Sequence, residues 1–170
     1  MILVLFGTNR FPFERLARAV EGLAAQGPEE IVVQLGYTDY CPRGTRCFHF
    51  LPREELRSLV RRADIVIAHG GFATLGDCLE LGKRIVAVPR KNELGENADS
   101  GRGQEEIVRR LEQDGRLVGV FDMEELPAAV EKARRLNLGR ERDSDIPRLV
   151  LEFVQTVYAT GGGTRKNGRP

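Results

Sequence analysis

The chain has almost no charge imbalance. Its 26 Lys and Arg residues stand against 25 Asp and Glu, a formal net charge of +1 over 170 residues. No strong field is present to draw in nucleic acid non-specifically, so no nucleic-acid partner is expected. The local basic runs (Arg57, Arg61 and Arg62; Arg134 and Arg135) read as solvated helix faces. Long apolar runs are missing too. None approaches the roughly 20 residues that span a bilayer. The opening Met1-Ile2-Leu3-Val4-Leu5-Phe6 has no basic leader and stops at Gly7-Thr8-Asn9, which makes it a first strand rather than a signal peptide. A cytoplasmic protein is expected. Cysteines and histidines are scarce, at three and two. Cys41, Cys47 and Cys78 form no CxxC pair, which speaks against a disulfide framework and a zinc site alike. Cys41 and Cys47 can meet across a loop, but reduced thiols are the expectation. No DxD-like carboxylate pair stands at a strand end, so neither a metal nor a cofactor is expected.

What is present is ordinary for a globular domain: 41% hydrophobic and 30% charged residues. Short apolar runs alternate with amphipathic stretches. Strands are expected at Ile2–Phe6, Ile31–Leu35, Cys47–Phe50, Ile65–Ala68, Arg84–Val88 and Leu117–Val120. Helices are expected from Pro12 to about Ala24, after Pro52, from Phe72 to Leu81, from Gln104 to Gln113, near Glu124–Leu136 and over Ile146–Tyr158. Near-continuous apolar strands separated by helices predict one α/β domain of Rossmann-like type. It would hold a parallel six-stranded sheet with helices on both faces. The domain is expected to cover residues 1–159, with 160–170 a disordered tail lacking aliphatic side chains. Residues 90–103, polar and rich in glycine, are a candidate mobile loop. Gly161-Gly162-Gly163-Thr164 is not a P-loop, since no strand delivers it and no helix follows.

Ligands of open parallel sheets bind beyond the carboxyl ends of the strands, where strand order reverses. The most distinctive strand end is His69-Gly70-Gly71. Two glycines let backbone approach a ligand, and the following helix points free N–H groups and its positive dipole end at the same place. That suits a diphosphate. Thr74 in the first turn can add a hydroxyl contact, and Asp77 one turn later can accept from ribose hydroxyls. The alternative is a tight strand-to-helix turn and nothing more. His69 has two readings, donation to a phosphate or fixing the turn through backbone groups. Gly7 and Thr8 either approach the ligand from the neighbouring strand or form a plain turn.

Wider segments carry a resemblance. They are Val4-Leu5-Phe6-Gly7-Thr8 with Pro12-Phe13-Glu14-Arg15-Leu16, then Val33-Gln34-Leu35-Gly36-Tyr37-Thr38. Next comes Ala63-Asp64-Ile65-Val66-Ile67-Ala68-His69-Gly70-Gly71-Phe72-Ala73-Thr74, running on to Leu79-Glu80-Leu81-Gly82-Lys83 and Val88-Pro89-Arg90. In this order they resemble the carboxyl-terminal, donor-binding half of family 28 GT-B glycosyltransferases. The likeness is greatest to the soluble subunit of the two-part UDP-GlcNAc transferase of N-glycan assembly and to bacterial counterparts in exopolysaccharide synthesis.

The resemblance implies a UDP-sugar, UDP-GlcNAc by the same likeness, held at the HGG turn. Asp77 would take the place of the family's ribose-binding glutamate, and Gln104 that of the glutamine near the donor sugar. Backbone around Phe50 and Leu51 would face uracil. Glu96 and Asn97 lie where the family has Gly-Glu-His, and Arg90 would help neutralise the leaving diphosphate. Ala73 in place of glycine, Asp77 in place of glutamate and Asn97 in place of histidine bear on sugar identity more than on nucleotide binding. The chain is too short to hold an acceptor half. The resemblance therefore implies a membrane-anchored, acceptor-binding partner subunit that supplies the general base, and a lipid-linked acceptor. Recruitment to the membrane would run through that partner, and a half-enzyme without it would expose an apolar face through which it could self-associate. Two other readings stand beside this one. Gly70-Gly71-Phe72-Ala73-Thr74-Leu75 is similar to the PGGxGTxxE turn of nucleotide phosphoribohydrolases, and a non-catalytic nucleotide-binding scaffold would keep the same fold.

Overall fold

The computed structural model describes residues 1–97 and 103–136. Six strands form one sheet: β1 (Ile2–Leu5), β2 (Ile31–Gln34), β3 (Arg46–Phe48), β4 (Ile65–His69), β5 (Arg84–Val88) and β6 (Val118–Gly119). Their order is β3-β2-β1-β4-β5-β6 and every pairing is parallel. The expected fold class is what is found. Among the described residues four α-helices lie between strands, α1 (Glu14–Ala24), α2 (Arg53–Arg62), α3 (Phe72–Glu80) and α4 (Gly103–Gln113), and α5 (Leu126–Arg135) follows β6.

Side chains of a strand alternate between faces, so each run of apolar residues feeds two cores. Ile2, Val4, Ile31, Val33, Ile65, Ile67, Val86 and Val88 gather with Leu16, Ala17 and Val20 of α1 and with Leu126, Ala129 and Val130 of α5. Leu3, Leu5, Val66, Ala68, Ile85 and Ala87 stand outside that cluster and are equally buried. They belong to the face covered by α3 and α4, whose Leu75, Cys78, Ile107 and Val108 are buried with them. This double covering is why Ile2–Leu5, Ile65–Ala68 and Ile85–Val88 are apolar throughout.

Boundaries shift where a local bond intervenes. The first helix begins at Glu14 rather than Pro12, because the Phe13 N–H donates to Thr38 Oγ1 at 2.9 Å. The segment expected as one helix to Leu136 is a 3₁₀ turn at Met123–Glu125, capped by the Asp122 side chain, followed by α5 with Pro127 in its first turn. The third strand ends at Phe48, two residues early. The expectation of reduced thiols at Cys41 and Cys47 is overturned: they form a disulfide, their Cα atoms 6.1 Å apart. Gly44, at φ 77°, turns the intervening chain back on itself and brings the two cysteines together. Cys78 is free and buried, and burial pushes its thiol up to about 12. Among the described residues no helix is long and apolar enough to cross a membrane. The expected helix over Ile146–Tyr158 and the tail 160–170 lie outside the described residues.

Candidate functional site

The strand order reverses between β1 and β4, each of which starts a chain of neighbours running the other way. At such a switch point the connections after the two strands leave on opposite sides and open a crevice at their carboxyl ends. Here that crevice is a cleft of about 320 Å³. It brings together Gly7 and Thr8 after β1, Phe50 and Leu51 after β3, and His69, Gly71 and Thr74 at the β4–α3 turn. Seven of the residues singled out from sequence thus share one cavity.

Gly71 is the N-cap of α3 and supplies no side-chain cap. The amide donors of the first turn are left to backbone, water or a ligand. The helix dipole places partial positive charge at the same point, beside the Thr74 hydroxyl. The glycines have separate reasons. A Cβ at Gly7 would stand 2.4 Å from His69 Cε1, and one at Gly71 would stand 2.1 Å from His69 Nε2, so the imidazole fills the space both lack. A Cβ at Gly70 would meet Gln104 Cβ at 3.0 Å and Val108 Cγ2 at 3.1 Å, where α4 packs against the turn.

His69 is buried, and its Nδ1 lies 3.4 Å from the Leu5 carbonyl oxygen. Burial first, then the charge of Arg90, lowers its pKa to about 4, so the ring is neutral at pH 7. Of its two expected roles, the geometry provides the bond to backbone.

Arg90, Glu96 and Gln104 are not among the residues lining the cleft; they form a strut behind it. The Arg90 guanidinium donates to the Phe6 carbonyl at 2.8 Å, the Phe11 carbonyl at 2.9 Å and the Glu96 carbonyl at 2.8 Å, over the face of Phe13. Burial brings its pKa down to about 10, and the Glu96 charge opposes that shift. Arg90 remains a cation whose charge reaches the cleft as a field. Glu96, itself buried, holds Arg15 with both carboxylate oxygens at 2.9 Å and accepts the Lys91 N–H at 2.8 Å. Gln104 Oε1 accepts the Arg90 N–H at 3.1 Å. Asn97 Oδ1 accepts from Asn9 Nδ2 at 2.9 Å. The expected mobile loop is therefore pinned along 90–97 to the segment after β1, while 98–102 lie outside the described residues. Asp77 is exposed on α3, with Arg53 at 4.0 Å, and lies outside the cleft lining.

Sequence reasoning gave no role to Gln34, which also lines the cleft. Its Oε1 accepts the Gly7 N–H at 2.9 Å, and its Nε2 donates to the Gly7 and His49 carbonyls at 3.0 Å. It ties the Gly7 turn to the segment after β3. The signal was there: Gln34 is the one polar residue ending the buried run Ile31-Val32-Val33. Leu5, Leu56, Phe72 and Ala73 complete the lining; of these only Ala73, standing where the resembled family has glycine, was singled out from the sequence.

The family model described as glycosyltransferase family 28 C-terminal domain matches residues 1–147. Solved structures share the fold. A glycosyltransferase of kitacinnamycin is 17% identical with a TM-score of 0.60, over 95% of this chain and 40% of that one. The calicheamicin glycosyltransferase is 19% identical with a TM-score of 0.58, over 95% and 38%. MurG of Acinetobacter baumannii is 17% identical with a TM-score of 0.52, over 91% and 49%. The chain thus spans two fifths to one half of the length of these structures. No curated relative matches it.

Proposed function

The chain belongs to the glycosyltransferase family 28 C-terminal domain family, and on that premise we propose that it binds the UDP-sugar donor, UDP-GlcNAc, for a two-part transferase. The reading is carried by one observation: the cleft at the switch point joins the N-terminus of α3, Thr74 and the Gly7 turn. Helix N–H groups and the Thr74 hydroxyl would stabilise charge building on the leaving diphosphate as the sugar moves to an acceptor hydroxyl. Uracil would lie toward Phe50 and Leu51. Asp77, one turn beyond Thr74, would receive the ribose hydroxyls.

The acceptor half, the general base and a lipid-linked acceptor would come from a membrane-anchored partner subunit. Alone, the chain would bind nucleotide weakly and transfer little. Titration of the chain with UDP-GlcNAc, UDP and AMP tests the proposal. Binding of the two uridine nucleotides is expected, and Asp77→Ala should weaken it while Cys78→Ala leaves it unchanged. Preference for AMP with release of free base would refute the transferase reading.

A further inference from the structure

The chain from Gly36 to Leu51 leaves the sheet after β2, returns as β3 and ends at the cleft, and its two limbs are held unequally. The outgoing limb is docked on α1. The Tyr40 hydroxyl donates to the Glu21 carboxylate, the Arg43 N–H donates to the same group at 3.0 Å, and Arg18 lies over the Tyr40 ring. The buried Thr38 hydroxyl accepts the Phe13 N–H. The returning limb is an edge strand of three residues whose neighbour in the sheet is β2. Beyond it the Leu35 and Gly36 N–H groups donate to the Phe48 and His49 carbonyls at 2.8 and 3.1 Å. Phe50 and Leu51 then enter the cleft lining. Phe50 is 48% exposed and meets the ring of Tyr37, on the outgoing limb, edge-on at 5.2 Å. The covalent tie between the limbs is the Cys41–Cys47 disulfide.

We infer that this disulfide is a redox switch on nucleotide affinity: closed, it holds the Phe50–Leu51 wall of the cleft to the docked limb, and opened by a low-molecular-weight thiol it lets that wall loosen. The inference rests on the nucleotide-sugar reading of the cleft. Cys41 is exposed and Cys47 partly buried, so a thiolate reaches Cys41 Sγ first. A new sulfur–sulfur bond forms there, the Cys41–Cys47 bond breaks, and its electron pair leaves on Cys47 Sγ, which takes a proton. A second thiolate attacks the bound thiol, leaves with it as a disulfide and releases Cys41, which is protonated in turn. The protein gains two electrons and two protons, and the two thiols depart oxidised. Thr45 is placed to receive the reduced form. Its hydroxyl donates to the Pro42 carbonyl at 2.7 Å, and its oxygen lies 3.3 Å from Cys47 Sγ, where a released S–H can donate. Cys78 is buried and stays out of the exchange. The diphosphate end of the cleft, on β4 and α3, shares no bond with this loop and keeps its shape.

The full chain, labelled with ¹⁵N, is titrated with UDP in buffers of reduced and of oxidised glutathione, while alkylation and mass spectrometry count its thiols. The bridge should open in the first buffer and close in the second, a difference of two thiols. Loop-closure entropy sets a ceiling of about 30-fold on the change in affinity. Reduction should weaken UDP by about 5-fold, since β2 still holds the strand and only part of that term acts on the wall. The Tyr37, Phe50 and Leu51 amides should shift on reduction, and those of Gly71 and Thr74 should stay in place. Cys41→Ser with Cys47→Ser should bind UDP like the reduced chain in both buffers. Equal affinity in the two buffers would overturn the inference while leaving the nucleotide reading standing. So would a bridge that reduced glutathione does not open, or equal shifts at both ends of the cleft. Failure of the oxidised chain to bind UDP or UDP-GlcNAc would overturn the reading of the cleft and this inference with it.

Discussion

Gly71→Ala isolates the contact on which the cleft depends. Gly71 has φ −74° and ψ 127°, open to any L-residue, so the backbone tolerates alanine without strain. The added methyl is the whole perturbation. It would lie 2.1 Å from His69 Nε2, 2.7 Å from Cδ2 and 3.1 Å from Cε1, against an ordinary contact of roughly 3.5 Å. The ring has nowhere to withdraw, because its other edge fills the space beside Gly7 and its Nδ1 is tied to Leu5. Either the imidazole leaves its rotamer and that bond, or the start of α3 moves outward.

Overpacking of this kind costs about 1–3 kcal/mol, which for a domain of this size is a fall in Tm of roughly 3–10 °C. Differential scanning calorimetry reads the loss, and UDP titration reads the displacement of the α3 amides. A cycle with His69→Ala assigns the cause. Once the ring is removed, alanine at 71 should be nearly free, a coupling of about 1–3 kcal/mol. An unchanged Tm for Gly71→Ala, or an equal loss in both backgrounds, would refute the packing argument.

The Cys41–Cys47 bridge closes a loop of sequence separation 6, and loop-closure entropy gives it about 2 kcal/mol. Cys41→Ser with Cys47→Ser should lower Tm to the value the unmodified chain reaches in dithiothreitol and abolish the effect of reductant. Glu96→Gln removes the buried carboxylate that pairs with Arg15 and accepts the Lys91 backbone N–H, and urea unfolding should show a loss of about 3 kcal/mol, since the Arg15 cation it faced stays behind. His69 has an ordinary value of 6.5 in the unfolded chain and about 4 in the fold, so between these the unfolded state binds more protons. The stability it contributes is complete above pH 6.5, falls by about 3 kcal/mol as pH drops toward 4, and should be insensitive to pH over that window in His69→Asn.

The strands were legible because a sheet covered on both faces favours near-continuous apolar residues, and six such runs stand out against polar connections. Their order was not, since periodicity records burial and says nothing of which strand lies beside which. The β4–α3 turn was legible for a local reason: a ligand cradle needs small residues and a helix start within a few positions. The strut was not, because Arg15 and Glu96 are 81 residues apart and Arg90 and Phe6 are 84 apart. Nothing local marks Arg90 as a residue that will bond strand-end carbonyls instead of a phosphate. The disulfide was missed similarly, since spacing alone does not say whether Gly44 takes the left-handed conformation that brings Cys41 to Cys47.

Resemblance assigned Arg90, Glu96, Gln104 and Asp77 as one group, yet their surroundings divide it. The first three are bonded into the walls: Arg90 to the Phe6, Phe11 and Glu96 carbonyls, Glu96 to Arg15, and Gln104 Oε1 to the Arg90 N–H. These bonds fix the distance between the segments after β1 and β5. Asp77 differs. Its contact with Arg53 is long and exposed, at 4.0 Å with both side chains more than half accessible, the kind of pair worth between nothing and about 1 kcal/mol. Its carboxylate can turn to a ribose at little cost, provided the nucleotide extends past Thr74 along the first turns of α3. The bonds therefore separate residues that can serve a ligand directly, Thr74 and Asp77, from those that hold the cleft in shape. Substitutions in the first set should alter affinity at constant stability, and substitutions in the second should alter both together.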